Sequence, residues 1–191
     1  ANKPSRAKVT LKVYDAETDA APELIKDQKN ILRVAVGHKS SLNVLPAWID
    51  PEGDALALVK AESDGGEVGF RPDGTIEFTD DGEGPGHETI DFEVRGGEAV
   101  AKGAVSVTIE PEADAKPHAV ADHVTGVVGS TILLEPTTND IDPLGGQLSM
   151  PTLKQIAGPA GRMVRDSARG TATFRSDEPG TSYLEYTASS A

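Results

Sequence analysis

The chain repeats itself, and the repeat fixes the size of its folding unit. The segment W-I-D-P-E-G-D-A-L, Trp48 to Leu56, returns as D-I-D-P-L-G-G-Q-L, Asp140 to Leu148, 92 positions later. G-T-I-E-F-T from Gly74 returns as G-T-A-T-F-R from Gly170 at an offset of 96, and I-D-F-E-V from Ile90 returns as L-E-Y-T-A from Leu184 at an offset of 94. Three matches in one order with drifting offsets describe two homologous units that differ by small loop insertions. The connection repeats as well: the alternating strand, acidic stretch and proline of Val105 to Pro117 echo Val9 to Pro22. The resulting frame assigns residues 1–17 to the last strand of a preceding repeat plus a linker, 18–112 to repeat 1, and 113–191 to repeat 2 without its final strand. Units of about 90 to 100 residues still bury a usable core.

Within the units the hydrophobic period is two. Thr75–Thr79, Thr89–Val94, Val105–Ile109 and Tyr183–Tyr186 alternate apolar with polar residues, as half-buried strands do. Turn signals punctuate them: Asp73-Gly74 after Pro72, and glycine pairs at Gly65-Gly66, Gly96-Gly97 and Gly145-Gly146. No helical period is sustained. The predicted class is all-β: tandem immunoglobulin-like, cadherin-like, antiparallel β-sandwiches.

Charge and composition narrow the partners. With 18 Lys+Arg against 31 Asp+Glu the net charge is −13, which repels phosphate backbones and anionic lipid. Nucleic acid is therefore not an expected partner. Cysteine is absent, which removes disulfides, thiolate catalysis and Cys-based metal sites together. No apolar run has spanning length and no signal segment opens the sequence, so membrane insertion is not expected of this fragment and any export signal or anchor is expected outside it.

The order of these features is Pro, V-G, an apolar strand, N-D-x-D-P-x-G-x-x-L, G-T-x-x-F and then a Tyr- or Phe-centred strand. It resembles the bacterial Ig-like, cadherin-like tandem repeats of large surface or secreted proteins, in a variant common in actinobacteria. The resemblance spans almost the whole chain and rests on turn chemistry. It implies a spacer or adhesive sandwich module, extracellular or at the cell surface, with calcium at loops or junctions in some relatives. The first unit departs from the pattern in carrying Trp48 where the second has Asp140.

The Asp-Pro loops are the strongest local signal. In D-P-E-G, Asp50 to Gly53, and D-P-L-G, Asp142 to Gly145, Asp, Pro and Gly occupy the first, second and fourth positions that a type I turn favours. The competing reading makes Asp50, Glu52 and Asp54, or Asp140 and Asp142, oxygen ligands of calcium, which takes six to eight. That supply is thin, so the turn is preferred and no metal or other cofactor is expected. The linker acids Glu110, Glu112 and Asp114 lack a cadherin-like D-x-N-D-N run and read as a solvated connection. Asp80 to Gly86 reads as a mobile acidic loop.

His38, His87, His118 and His123 form no H-E-x-x-H, and no G-x-S-x-G or phosphate-cradling loop is present. No enzyme activity is expected. Aromatic content is 4%, and alternation turns Phe78, Phe92, Phe174 and Tyr186 toward the core, which argues against a sugar-stacking face. The expected function is a non-catalytic spacer that presents other domains away from the cell. The alternative is an adhesion or ligand-binding module, calcium-dependent in one version, that contacts host, matrix or neighbouring cells through a protein or surface ligand. The expected partners are neighbouring repeats of the same chain. One further expectation concerns self-association: Ala7 to Tyr14 alternates like Val105 to Ile109 and is positioned to complete the second unit of a neighbouring molecule by strand addition.

Overall fold

A computed structural model describes residues 19–26 and 28–190. The chain order is β1 (Glu23–Leu24), β2 (Ile31–Ala35), β3 (Lys39–Asn43), β4 (Trp48–Ile49), β5 (Ala57–Glu62), β6 (Glu67–Phe70), β7 (Thr75–Thr79), β8 (Gly86–Gly96) and β9 (Ala99–Glu110). Then come β10 (Ile132–Leu134), β11 (Leu148–Ala157), β12 (Arg162–Asp166), β13 (Thr171–Arg175) and β14 (Tyr183–Ser190). Among the described residues the helical elements are short 3-10 turns at Leu45–Ala47, Glu112–Asp114 and Pro136–Thr138. The period-two segments of the sequence all fall inside β7, β8, β9 and β14.

The first nine strands make a sandwich. A four-stranded sheet of order β2-β9-β8-β5 faces a three-stranded sheet of order β3-β7-β6, and β1 pairs with β4 at one end. The alternation places one face of each strand inside: Leu32 and Val34, Ile76 and Phe78, Ile90, Phe92 and Val94, and Val105 and Val107 are all essentially inaccessible. Trp48 lies between the sheets with its ring edge-on to Phe92, the centroids 5.9 Å apart. Gly103 stands opposite Phe92 because a Cβ there would run into both the Phe92 and Trp48 rings. The fold is the expected immunoglobulin-like β-sandwich, with one departure from purely antiparallel pairing. β2 runs parallel to β9, Ile31 opposite Ser106 through Ala35 opposite Glu110. No hairpin joins these two strands, so nothing forces them to alternate in direction.

The later strands repeat part of this pattern. The sheet β10-β13-β12 has the order of β3-β7-β6, and the pair β11-β14 has that of β5-β8. The bridge between His118 and Ile141 stands where Glu23 meets Ile49 in the β1-β4 pair. Two strands have no counterpart among the described residues, β9 and its parallel neighbour β2. Residues 123–127, which align with β2 through the shared Val36-Gly37 and Val128-Gly129, run as coil.

Candidate functional site

The two Asp-Pro loops lie at opposite ends of the first sandwich. The Asp50 loop sits beside the β8-β9 turn at Gly96-Gly97. Asp50 is buried, and its Oδ1 accepts the backbone N–H groups of Glu52, Gly53 and Asp54 at 3.0, 2.9 and 2.9 Å. The Gly53 N–H also reaches the Asp50 carbonyl at 3.3 Å, which closes the predicted turn. Three donors on one carboxylate oxygen make Asp50 the organiser of the loop, a local side-chain cap. Glu52 accepts the N–H of Ala20, and Asp19 accepts that of Glu98, so the incoming chain is tied to this end.

The second loop, Asp140 to Gly145, does something the sequence reading does not anticipate: it closes the other end of the first sandwich. Ile141 belongs to the core cluster that contains Leu32, Phe78 and Val107, and is only 6% exposed. The Pro143 carbonyl accepts the N–H of Ala35 at 2.7 Å, and the Asp142 carbonyl accepts the Ser40 hydroxyl at 2.9 Å. Gly145 passes so close to the Lys39 carbonyl that a Cβ there would overlap it. Within the loop, the Gly145 N–H reaches the Asp142 carbonyl at 2.9 Å, again the predicted turn. Asp142 Oδ1 accepts the Leu144 N–H at 3.0 Å and the Ser190 hydroxyl at 3.1 Å. The recurring isoleucine is not by itself a signal for this contact, since Ile49 at the matching position is 55% exposed.

Asp140 is held differently from its counterpart Trp48. Its Oδ1 accepts the Val120 N–H and the Tyr186 hydroxyl, each at 2.8 Å. Burial is the main cause that raises the Asp140 pKa above the ordinary carboxylate range; the two hydrogen bonds and His118 oppose it. Burial likewise raises Asp122, with the charge of Asp140 adding to the effect. The Tyr186 hydroxyl is pushed up by burial and then by its bond to Asp140, so it stays a donor.

The five carboxylates named from sequence thus divide into two sets, Asp50, Glu52 and Asp54 at one end and Asp140 and Asp142 at the other. Among the described residues no group of three or more His, Asp or Glu side chains is arranged to hold a metal ion. One oxygen of Asp50 and one of Asp142 are committed to hydrogen bonds, while the other oxygen of each is buried without a partner. The linker acid Glu110 pairs with Arg33 at 3.2 Å, whereas Glu112 and Asp114 face solvent. The Asp80 loop is a correction to the sequence reading: Asp80 is buried, and its Oδ2 accepts the N–H groups of Gly37 and Gly82 at 2.7 and 3.0 Å. A carboxylate that fixes two loops at once anchors the start of this segment.

Residues 19–108 match the family described as Bacterial Ig domain. No curated protein matches the chain. Among solved structures, the first two extracellular repeats of human protocadherin-24 align at 13% identity over 83% of this chain and 78% of theirs, TM-score 0.41. A Bacteroides fragilis protein described as a putative α-galactosidase aligns at 14% identity over 53% of this chain and 19% of its own, TM-score 0.38. An endo-fucoidan hydrolase of glycoside hydrolase family 107 aligns at 16% identity over 92% of this chain and 29% of its own, TM-score 0.39. The chain therefore spans less than a third of either hydrolase. Residues 19–108, the stretch that folds into the two facing sheets with their Asp-capped turns, are similar to a bacterial Ig domain.

Proposed function

We propose that the chain is a non-catalytic spacer segment of a large bacterial surface or secreted protein. In this reading residues 18–112 and 113–191 are successive repeats, the second lacking its final strand, and their partners are neighbouring repeats of the same chain. The observation that carries it is the seating of Ile141 in the core of the first sandwich, with Pro143 and Asp142 hydrogen-bonded to Ala35 and Ser40 around it. A loop that completes its neighbour's core resists bending, because a hinge motion exposes Ile141 and breaks both bonds. Burial of one such side chain stabilises by about 1.5–3 kcal/mol, enough to favour one orientation strongly. A stiff junction is what a spacer needs, and an enzyme or lectin of this size does not need it.

Small-angle scattering tests the reading. An elongated particle of fixed length is expected, and Ile141→Asp should broaden its distribution of lengths while the circular dichroism of the strands persists. A compact globular profile overturns it. Specific binding in a glycan array, or turnover in a hydrolase screen, would move the chain from spacer to adhesive or catalytic module.

A further inference from the structure

The outer face of the sheet β10-β13-β12 carries its side chains in sorted rows. Cross-strand pairing sets Leu133 opposite Thr173 and Thr173 opposite Val164. Thr173 points away from the core because its neighbours Ala172 and Phe174 are buried, and Leu133 and Val164 beside it are 57% and 72% exposed. Two residues along the strands to one side, Arg162 stands opposite Arg175. Two residues to the other side, Asp166 stands opposite Thr171, and the exposed Glu135 follows directly on β10. The face reads basic, apolar, acidic.

The matching sheet of the first sandwich, β3-β7-β6, has no such order. Its middle row is Ser41, Glu77 and Gly69, and the row beside it mixes Lys39 with Glu67 across Thr79. Arg71 and Asn43 flank Thr75 on the remaining side. Both sheets bury the same inward positions, Ile76 and Phe78 in one and Ala172 and Phe174 in the other. The core therefore places no demand on the outward row, and folding does not account for its apolar character in the later sheet. A single exposed apolar side chain is ordinary. Two of them in one row across three strands, between charges of opposite sign, mark a contact surface.

We propose that this face binds the same face of a second copy of the chain in a closed two-fold dimer. Charge complementarity selects the occupant. A two-fold axis along the row Leu133, Thr173 and Val164 lays each of these residues against itself in the other copy. It also sets Arg162 of each copy over Asp166 of the other, with the strands antiparallel across the interface. A two-fold axis along the strands would instead set arginine on arginine and acid on acid, which costs energy. The charge order thus admits one of the two ways in which the face can meet itself. A uniformly acidic or uniformly basic partner would be repelled at one row, whereas a second copy is attracted at both.

The charges are free to turn outward. Arg175 lies 3.2 Å from Asp177, and Asp166 lies 3.8 Å from Arg169, but both pairs are solvent-exposed, and such pairs contribute little. The size of the face sets the strength of the contact. Three strands of up to five residues cover roughly 15 by 17 Å, on the order of 250 Å² per copy. A stable interface takes about 800 Å² per partner, so the dimer is weak and transient. It does not depend on the spacer role of the chain.

Sedimentation equilibrium of the 191-residue chain from micromolar to near-millimolar concentration, at low and high salt, is the test. The expected result is an association that stops at the dimer and weakens with salt. Leu133→Asp and Val164→Asp should each abolish it, because each sets a carboxylate against its own copy at the axis. Arg162→Asp should weaken it roughly tenfold, since the change enters a two-fold interface twice. Thr131→Lys extends the basic row opposite Glu135 of the other copy and should tighten the dimer, a gain that misfolding does not mimic. All four positions are exposed, and circular dichroism should show each variant folded. A monomer at every concentration overturns the proposal, as does a mass that passes the dimer, an association indifferent to Val164→Asp, or a dimer that Thr131→Lys fails to tighten. None of these results bears on the elongation measured by scattering of the dilute chain, so the spacer reading stands or falls separately.

Discussion

Residues 19–110 and residues 118–190 carry the same turns at matching positions, yet they bury very different amounts of apolar surface. In the first region Leu32, Val34, Ile76, Phe78, Ile90, Val94, Val105 and Val107 are wholly inaccessible. In the second the buried apolar residues, apart from the Ile141 lent to its neighbour, are Leu148, Met150, Ala172 and Phe174, while Val124, Val128, Leu133 and Val164 are more than half exposed. One strand makes the difference. β9 hydrogen-bonds on both edges and holds β2 in the sheet, whereas among the described residues no strand takes that place in the later region and the residues matching β2 run as coil. Turn chemistry sets the outline of a sandwich, but a central strand makes its core.

The largest effect expected from this comparison is in the first core. Phe78→Ala should cost about 3–5 kcal/mol, read from the urea unfolding curve followed by the fluorescence of Trp48, the single tryptophan, which lies in that core. Leu133→Ala, at a position 57% exposed, should change stability by less than about 0.5 kcal/mol. Equal costs would mean that the two cores are equally consolidated. The next effect separates the two copies of one motif. Ile141→Ala should lower the stability reported by Trp48 by about 2–4 kcal/mol, although residue 141 lies in the later region. Ile49→Ala, at the matching position but 55% exposed, should be nearly neutral.

Much of this architecture was legible in the sequence because it depends on local chemistry. Period two located β7, β8, β9 and β14, and the Asp-Pro-x-Gly pattern located both turns, since side-chain caps and alternation are written in neighbouring residues. Contacts between distant residues were not legible. Nothing near Ile141 indicates that it enters the core of another sandwich, because its neighbours are turn formers and the residues its loop bonds to, Ala35 and Ser40, are remote in sequence. Asp80 was misread as part of a mobile loop for the same reason: the Gly37 N–H that it accepts lies 43 residues away. The self-association expected of Ala7 to Tyr14 lies outside the described residues.

A smaller effect tests whether the Asp-Pro carboxylates serve the turn alone. Asp50→Ala removes an acceptor shared by three N–H groups and should destabilise the first sandwich by about 1–2 kcal/mol, the range of a lost cap. Asp50→Asn keeps an acceptor oxygen and should recover most of that loss. Millimolar calcium should leave the melting temperature of both regions unchanged, because only a ligand that binds the native state raises it. A rise of several degrees that Asp50→Ala or Asp142→Ala abolishes would falsify the turn reading and restore calcium.

The smallest effect distinguishes Asp140 from the tryptophan at the matching position. Burial raises the Asp140 pKa in the folded chain, so the folded state holds this proton more tightly than the unfolded state does. Its contribution to stability is therefore fully present below the ordinary carboxylate value of about 3.9 and is lost as pH rises through the raised folded value. Asp122 shifts in the same direction, partly through the charge of Asp140, so removing that charge should flatten the response of both groups. Asp140→Asn keeps an oxygen for the Val120 N–H and the Tyr186 hydroxyl and places an amide where the second carboxylate oxygen has no partner. The variant should lie within about 1 kcal/mol of the wild type at neutral pH, with a weaker gain in stability on acidification from pH 6 to pH 4. Tyrosine near-ultraviolet circular dichroism during urea unfolding follows Tyr186 once the signal of a Tyr186→Phe control, which keeps Tyr14, Tyr183 and Trp48, is subtracted, and an unchanged slope in the variant would place the pH dependence elsewhere than at Asp140.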